Sequence, residues 1–256
     1  MAGGRLRTVL PPIVAGITMV VLWEVWVNVG GVKGTIIPAP SAVWSKLTDN
    51  TELLRLCATA TFLNAVRGLA LGTFAAIVLA LVTTRFRPLE RGLTPLAVVL
   101  AATPIVVLSP IANIWFGLTT ATSKVVVIAV VTFFPVYLNT LRGLDGARSN
   151  DLELMRSYGA SAWTTLTKVK IPTSVPFLFT GLKVAASLAM ITAIVTEYFG
   201  GNRRSLGVLI TQQASLSKFD MAWAGIAVAC ALSLGLYGAV LLIERLVAPW
   251  RTSAAQ

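Results

Sequence analysis

The 256-residue chain is 56% hydrophobic and only 12% charged, and it carries a net charge of +11 without a single His. Soluble domains have about twice that charge fraction, so the composition excludes an ordinary soluble protein and indicates a multi-span membrane protein. Its basic residues lie in loops between apolar runs, which speaks for membrane orientation and against nucleic-acid binding. With no His, and with Cys57 and Cys230 far apart, an imidazole-based triad and a conventional zinc site are excluded.

A helix needs about 20 apolar residues to cross a bilayer core, and in lipid its backbone polar groups must pair within the segment. Six segments qualify, at about 9–29, 61–82, 93–116, 124–141, 175–196 and 221–243, within a single transmembrane domain over 1–256. The expected fold is therefore all-α. The first run follows MAGGRLRT, is long enough to span, and is not followed by an A-x-A-like cleavage site, so it reads as an uncleaved span. Glu24 falls within it and is expected to pair locally. Next, IIPAPSAVWSKL sets Pro38 and Pro40 before Ser41, a candidate N-cap. Val43, Trp44, Leu47 and Leu54 share one face, as in a short interfacial helix with Trp44 at headgroup depth.

The second span holds Gly68 and Gly72 in a GxxxG spacing that permits close helix contact. Arg67 there, and Lys183 in the fifth span, are expected to snorkel from span ends. In the third span, ATPIVVLSPIANIWFG, each proline removes a backbone donor, a break that survives in lipid beside a neighbouring helix or a watery cavity. Pro104, Ser109, Pro110 and Asn113 are thus candidates to line a solute path. Thr132, Phe133, Tyr137, Asn139 and Thr192 of the fourth and fifth spans join them, with Phe134 close by. Glu197, at the outer end of the fifth span, is a candidate gate or helix tether. No basic residue is expected at mid-membrane depth along this path, and aromatic faces with hydroxyls and amides suit a flat, uncharged heterocycle.

With the N-terminus inside, 12 Lys and Arg fall in inner segments and 7 in outer ones, Lys124 among the latter. This bias places both termini, and the long loop at 142–174, in the cytoplasm. Within that loop NDLELMRSYGASAWTTLTKVKIP is polar and helix-like. Asn150 with Glu153 fits a capping box, and Asp151 adds favourable charge at the same end. Leu154, Met155 and Tyr158 precede Gly159, suited to a left-handed C-terminal cap. Ser161 can cap a second short helix in which Trp163, Leu166 and Val169 supply apolar contacts, and Ile171-Pro172 is expected to end it. Two short helices about a glycine offer a surface to a soluble partner by a helix-in-groove contact, or pack on the protein's own helix ends.

That stretch resembles the signature loop of importer permeases of the ATP-binding cassette superfamily: E-A-A, three residues, G, nine residues, I-x-L-P. Glu153, Leu154 and Met155 take the first three places, Gly159 the glycine, and Val169, Ile171 and Pro172 the closing positions. Leu154 and Met155 replace the two alanines. Similarity continues in IIPAPSAVWSKL, NIWFG, FFPVYLNTLRGL and TEYFGG…SLG, as in permeases for nitrate, sulfonate, taurine and related solutes. ELMRSYGAS with VTEYFGG is closer in appearance to the riboflavin and thiamine-pyrimidine-precursor branch. The resemblance implies a type I importer permease in the bacterial cytoplasmic membrane. It implies a second permease copy, two cytosolic ATPases and an extracytoplasmic solute-binding protein as partners. The ATPase-coupling residues would be Glu153, Leu154, Met155, Tyr158, Gly159, Ala160, Ser161, Ile171 and Pro172.

The residues agree with that division of labour. No G-x-x-x-x-G-K-[ST] phosphate loop is present, so ATP is expected to be bound by partner subunits and this chain to be non-catalytic, with no cofactor or metal of its own. A secondary transporter would place coupling carboxylates deep in the spans, a membrane enzyme would show paired catalytic groups, and a simple channel leaves the long loop unexplained.

Overall fold

A computed structural model describes residues 2–30, 37–86, 88, 91–93, 95, 98–99 and 103–249, and among these no strand occurs. The main helices are α1 (Ala2–Val29), α2 (Pro40–Asp49), α3 (Thr51–Arg85), α4 (Ile105–Phe116), α5 (Ala121–Asp145), α6 (Ser149–Ser157), α7 (Ala162–Tyr198), α8 (Leu206–Ser215) and α9 (Phe219–Val247). Five described stretches are long and apolar enough to cross a membrane: Leu10–Val29, Thr51–Arg85, Ala121–Asp145, Ala162–Tyr198 and Phe219–Val247. Of the expected span at 93–116, Ile105–Phe116 forms a helix, while residues 94, 96–97 and 100–102 lie outside the described ones. There Pro104 is the N-cap of α4, whereas Pro110 sits inside the helix without ending it.

The bundle is organised on α5. It runs parallel to α3, and the GxxxG pair lies at the contact: a Cβ on Gly72 would stand 2.4 Å from the Ala129 carbonyl and from Thr132 Oγ1. Only glycine lets the two backbones approach so closely. On its other side α5 runs antiparallel to α7, with Gly143 against Ser174 and Gly181 against Val136. Tyr137, Leu144, Ala185, Ala186 and Ala189 are fully buried between them. Small residues at these positions bring the helices into van der Waals contact, the main attraction between helices in lipid. Helix α1, by contrast, is largely exposed from Leu10 to Val29, with Val27 buried and Trp23 tilted against Trp223 at 5.2 Å.

Several local expectations need correction. Ser41 does not cap α2, whose N-cap is Ala39 with Pro40 at the first helical position. Instead Glu24 of α1 supplies the acceptor that a cap side chain would, receiving the Ser41 amide at 3.0 Å and its hydroxyl at 2.7 Å, with the Asn28 amide at 2.8 Å. Trp44 does not share the face of Val43: it is exposed while Val43 is buried. Asn150 is not a cap either, because α6 begins earlier, with Arg148 at the N-cap and no side-chain cap bond. Lys183 does not snorkel; it forms a half-buried ion pair with Glu244 of α9 at 2.8 Å.

The largest departure is at Ile171-Pro172. The helix starting at Ala162 does not stop there but continues into the span, through a π turn at Leu166–Lys170 in which the Ile171 amide donates to the Leu166 carbonyl five residues back. Proline in a regular helix lacks one donor and crowds the preceding turn. The widened π turn just before Pro172 meets that demand, and such turns cluster at functional sites.

Candidate functional site

Two places carry the functional residues expected from the sequence. The first is the turn around Gly159. Helix α6 ends with the Ala160 amide bonded to the Met155 carbonyl at 2.9 Å and the Gly159 amide to the Arg156 carbonyl at 2.9 Å. This is the Schellman pattern, which requires a left-handed residue at its corner. Gly159 has φ +66°, and the space where a Cβ would point is open. Ser161 then caps the first turn of α7, accepting the Thr164 amide at 3.1 Å. The turn is therefore fixed by its own hydrogen bonds and needs no cover from the rest of the protein.

Its side chains are correspondingly free. No residue of α6 is buried. Leu154 is 55% exposed, Tyr158 79% and Trp163 71%, while Glu153 and Ser161 are also exposed and Met155 and Ala160 are half-buried. Trp163 is thus largely exposed where packing is expected from the sequence; Leu166 packs half-buried against the α5–α7 core. Ile171 is half-buried against the same core and Pro172 is exposed. Large apolar side chains held exposed on a rigid turn at one end of a bundle mark an interaction surface.

The second place lies at the opposite end of the bundle, where α3, α5, α7 and α8 meet. Glu197 is 1% exposed, and its Oε2 accepts the Thr61 hydroxyl at 2.8 Å and the Gly207 amide at 3.1 Å. Thr61 in turn accepts the Leu206 amide at 3.0 Å, so one carboxylate joins α3, the end of α7 and the start of α8. Hydrogen bonds to a charged group are worth about 1.5–3 kcal/mol each, and more is lost if a buried partner is left unsatisfied. Glu197 also borders a cavity of about 230 Å³, lined further by Asn64, Arg67, Lys124 and Asn202.

Lys124, counted from sequence among the outer loop cations, is 2% exposed within the first turn of α5. Its Nζ donates to Asn113 Oδ1 at 3.0 Å, to Ser123 Oγ at 3.1 Å and to the Leu118 carbonyl. Asn113 passes the connection on, donating to the Phe199 carbonyl at 3.3 Å. Sequence reasoning missed Thr61, Asn64 and Lys124 as companions of Glu197. A signal was present, since Thr61 and Asn64 are polar one turn apart in an apolar span, but only the fold brings residues 136 positions apart together.

The remaining path candidates do not converge on this cavity. Ser109 and Thr132 are buried, Thr132 bonding back to the Ile128 carbonyl at 2.8 Å. Phe133 stacks on Tyr137 at 5.5 Å, and Asn139 donates to the Pro135 carbonyl at 2.7 Å. Tyr137 and Thr192 are fully buried, and their hydroxyls find no hydrogen-bond partner among the described residues. Pro104 and Pro110 are exposed on α4.

A bundle of apolar spans with a rigid, exposed apolar turn at one end defines a membrane component that works with a partner. Residues 68–250 match the family of binding-protein-dependent transport system inner membrane components, and the chain belongs to it. It is a multi-pass permease subunit of an importer of the ATP-binding cassette type. It is 31% identical to the riboflavin transport system permease protein of Chloroflexus aurantiacus, over 92% of this chain and 88% of that protein. It is 30% identical to the formylaminopyrimidine transport permease protein of Halalkalibacterium halodurans, over 96% and 98%. Relatives of other specificity include a putative aliphatic sulfonates transport permease protein of Bacillus subtilis, at 25% identity over 98% and 89%. The fold matches a crystal structure of an amino acid ABC transporter with a TM-score of 0.64 and 18% identity, covering 78% of this chain and 96% of that one.

Proposed function

We propose that this chain forms the solute path of the importer with a second, identical copy, and that it receives the energy of ATP hydrolysis through the Gly159 turn. Two cytosolic ATPases supply that energy, and an extracytoplasmic binding protein delivers the solute. The single observation that carries the coupling role is the exposure of Leu154 and Tyr158 on a turn that is already rigid by its own hydrogen bonds. A rigid lever with an apolar tip transmits force to a groove on a soluble partner, and a flexible loop would not. The excess of Lys and Arg on the same side supports a cytoplasmic location for this turn and for both termini.

For the solute, we propose a flat heterocycle such as riboflavin or a pyrimidine precursor of thiamine. The names of two relatives covering nearly the whole chain support this. A second reading, a sulfonate-type anion, is favoured by a specific observation: Arg67 and Lys124 line the polar cavity beside Glu197, so fixed positive charge is present. Uptake into reconstituted vesicles decides between them. Riboflavin and a hydroxymethylpyrimidine are expected to be taken up with ATP, while nitrate and taurine are not; the reverse result selects the anion reading. Co-purification tests the coupling role, since an ATPase should accompany the wild-type chain and be lost from a Leu154→Ala/Tyr158→Ala variant that still inserts.

A further inference from the structure

A second cavity, of about 380 Å³, lies beside the Gly159 turn but is not part of its exposed tip. Three elements form it: the last turns of α3, the inward side of α6, and the start of α7 with its π turn. Arg85, Arg156 and Lys170 line it, one cation from each element, together with Leu81, Leu152 and Leu166. Among the described residues, Asp151 and Glu153, the carboxylates nearest Arg156 in sequence, are exposed on α6 and do not line it. Neither of the ion pairs seen among the described residues, Lys46–Asp220 and Lys183–Glu244, involves these cations. The Arg85 guanidinium carbon lies over the Phe86 ring, 5.8 Å from its centroid.

The position of the cavity says what it could take. Arg85 ends a 35-residue span and Lys170 stands immediately before the apolar run that begins at Ile171. Both cations therefore sit where helices leave the hydrocarbon, at the depth of lipid headgroups, with the three leucines as an apolar wall beside them. Three like charges around one cavity repel one another, and an oxyanion of spread charge relieves that repulsion while accepting hydrogen bonds from all three. We infer that Arg85, Arg156 and Lys170 form a binding site for a phosphate-bearing anion, the phosphate of an anionic membrane lipid or a free phosphate. Basic pockets between spans at a membrane face recognise such headgroups on these physical grounds. The inference needs only the membrane setting of the bundle and stands apart from the coupling role proposed for the neighbouring turn.

The test uses the full chain in detergent, with phosphatidylglycerol or phosphatidylcholine added in mixed micelles and bound lipid read by native mass spectrometry. Phosphatidylglycerol should be retained in preference to phosphatidylcholine, and Arg85→Gln, Arg156→Gln or Lys170→Gln should each weaken retention about fivefold. Lys170→Arg, which keeps the charge, should retain it and serves as the control for folding. Displacement of the lipid by excess inorganic phosphate would assign the site to the free anion, and persistence of the lipid would assign it to the headgroup; either supports the site. No preference between the two lipids in the unmutated protein, with no competing effect of phosphate, would overturn it. So would retention by the three Gln variants equal to that of the unmutated protein. Cross-linking of Lys170 to an acidic segment of a co-purified ATPase, in protein that retains no phosphatidylglycerol, would assign the cations to a protein partner and overturn it as well.

Discussion

At Gly159 a left-handed backbone angle coincides with open space, so a side chain there meets no neighbour and is opposed only by its own backbone. Gly159→Ala should therefore cost about 1–2 kcal/mol locally and leave insertion and yield unchanged. Gly159→Asp adds a charge at the tip, and ATP-dependent uptake in vesicles should fall much further than in the Ala variant. Equal uptake by both variants and the wild type would reject the coupling role. Glu197 makes the opposite case, a residue whose every neighbour matters. Glu197→Ala strands the Thr61 hydroxyl and the Gly207 amide in a buried joint, and loses about 2–3 kcal/mol, read as a lowered Tm in detergent. Glu197→Gln keeps an acceptor and should be milder.

Helix contacts respond to volume and to unpaired charge. Gly72→Val inserts a branched side chain against the Ala129 carbonyl and Thr132, forcing α3 away from α5. A marked loss of folded, monodisperse protein on size-exclusion chromatography is expected, whereas Gly235→Val, at a site open to the surroundings, should have little effect. The Lys183–Glu244 pair gives a second test between α7 and α9. Lys183→Ala removes one partner of this pair, and breaking a buried pair costs about 3–5 kcal/mol. The double variant Lys183→Met/Glu244→Leu removes both charges and should recover most of that loss in thermal unfolding. If the double variant is no better than the single one, the pair is not the source of the effect.

For the assembled importer, the exposed length of α1 and the single-chain position of Tyr137 and Thr192 in packed contacts bear on where the solute passes. Ser109, Thr132, Tyr137 and Thr192 are buried in this chain's own helix packing, which supports the proposal that a second copy encloses the path. Two permease chains related by a two-fold axis are expected. Native mass measurement of active protein should give two copies, and a stable, active single copy would sink the proposal.

Much of this was legible along the chain. Spans follow from runs of apolar residues, and the Gly159 turn from local chemistry: a glycine where the helix must end and a serine where the next begins. Such features depend on neighbours within a few positions, so the sequence by itself determined the helical class, the family and the exposed Gly159 turn. Helix boundaries set by distant groups were not legible. Glu24, not Ser41, completes the start of α2 because the fold brings α1 against it. The helix passes Pro172 because a π turn absorbs the missing donor, which the local preference of the preceding residue cannot reveal. Only the tertiary structure decided that Lys124 is buried rather than looped out, that Lys183 has a carboxylate partner, and that Arg85, Arg156 and Lys170 surround one cavity. The physical reason is common to all three: a charge takes its meaning from what stands opposite it, and in a bundle the opposite residue comes from another helix.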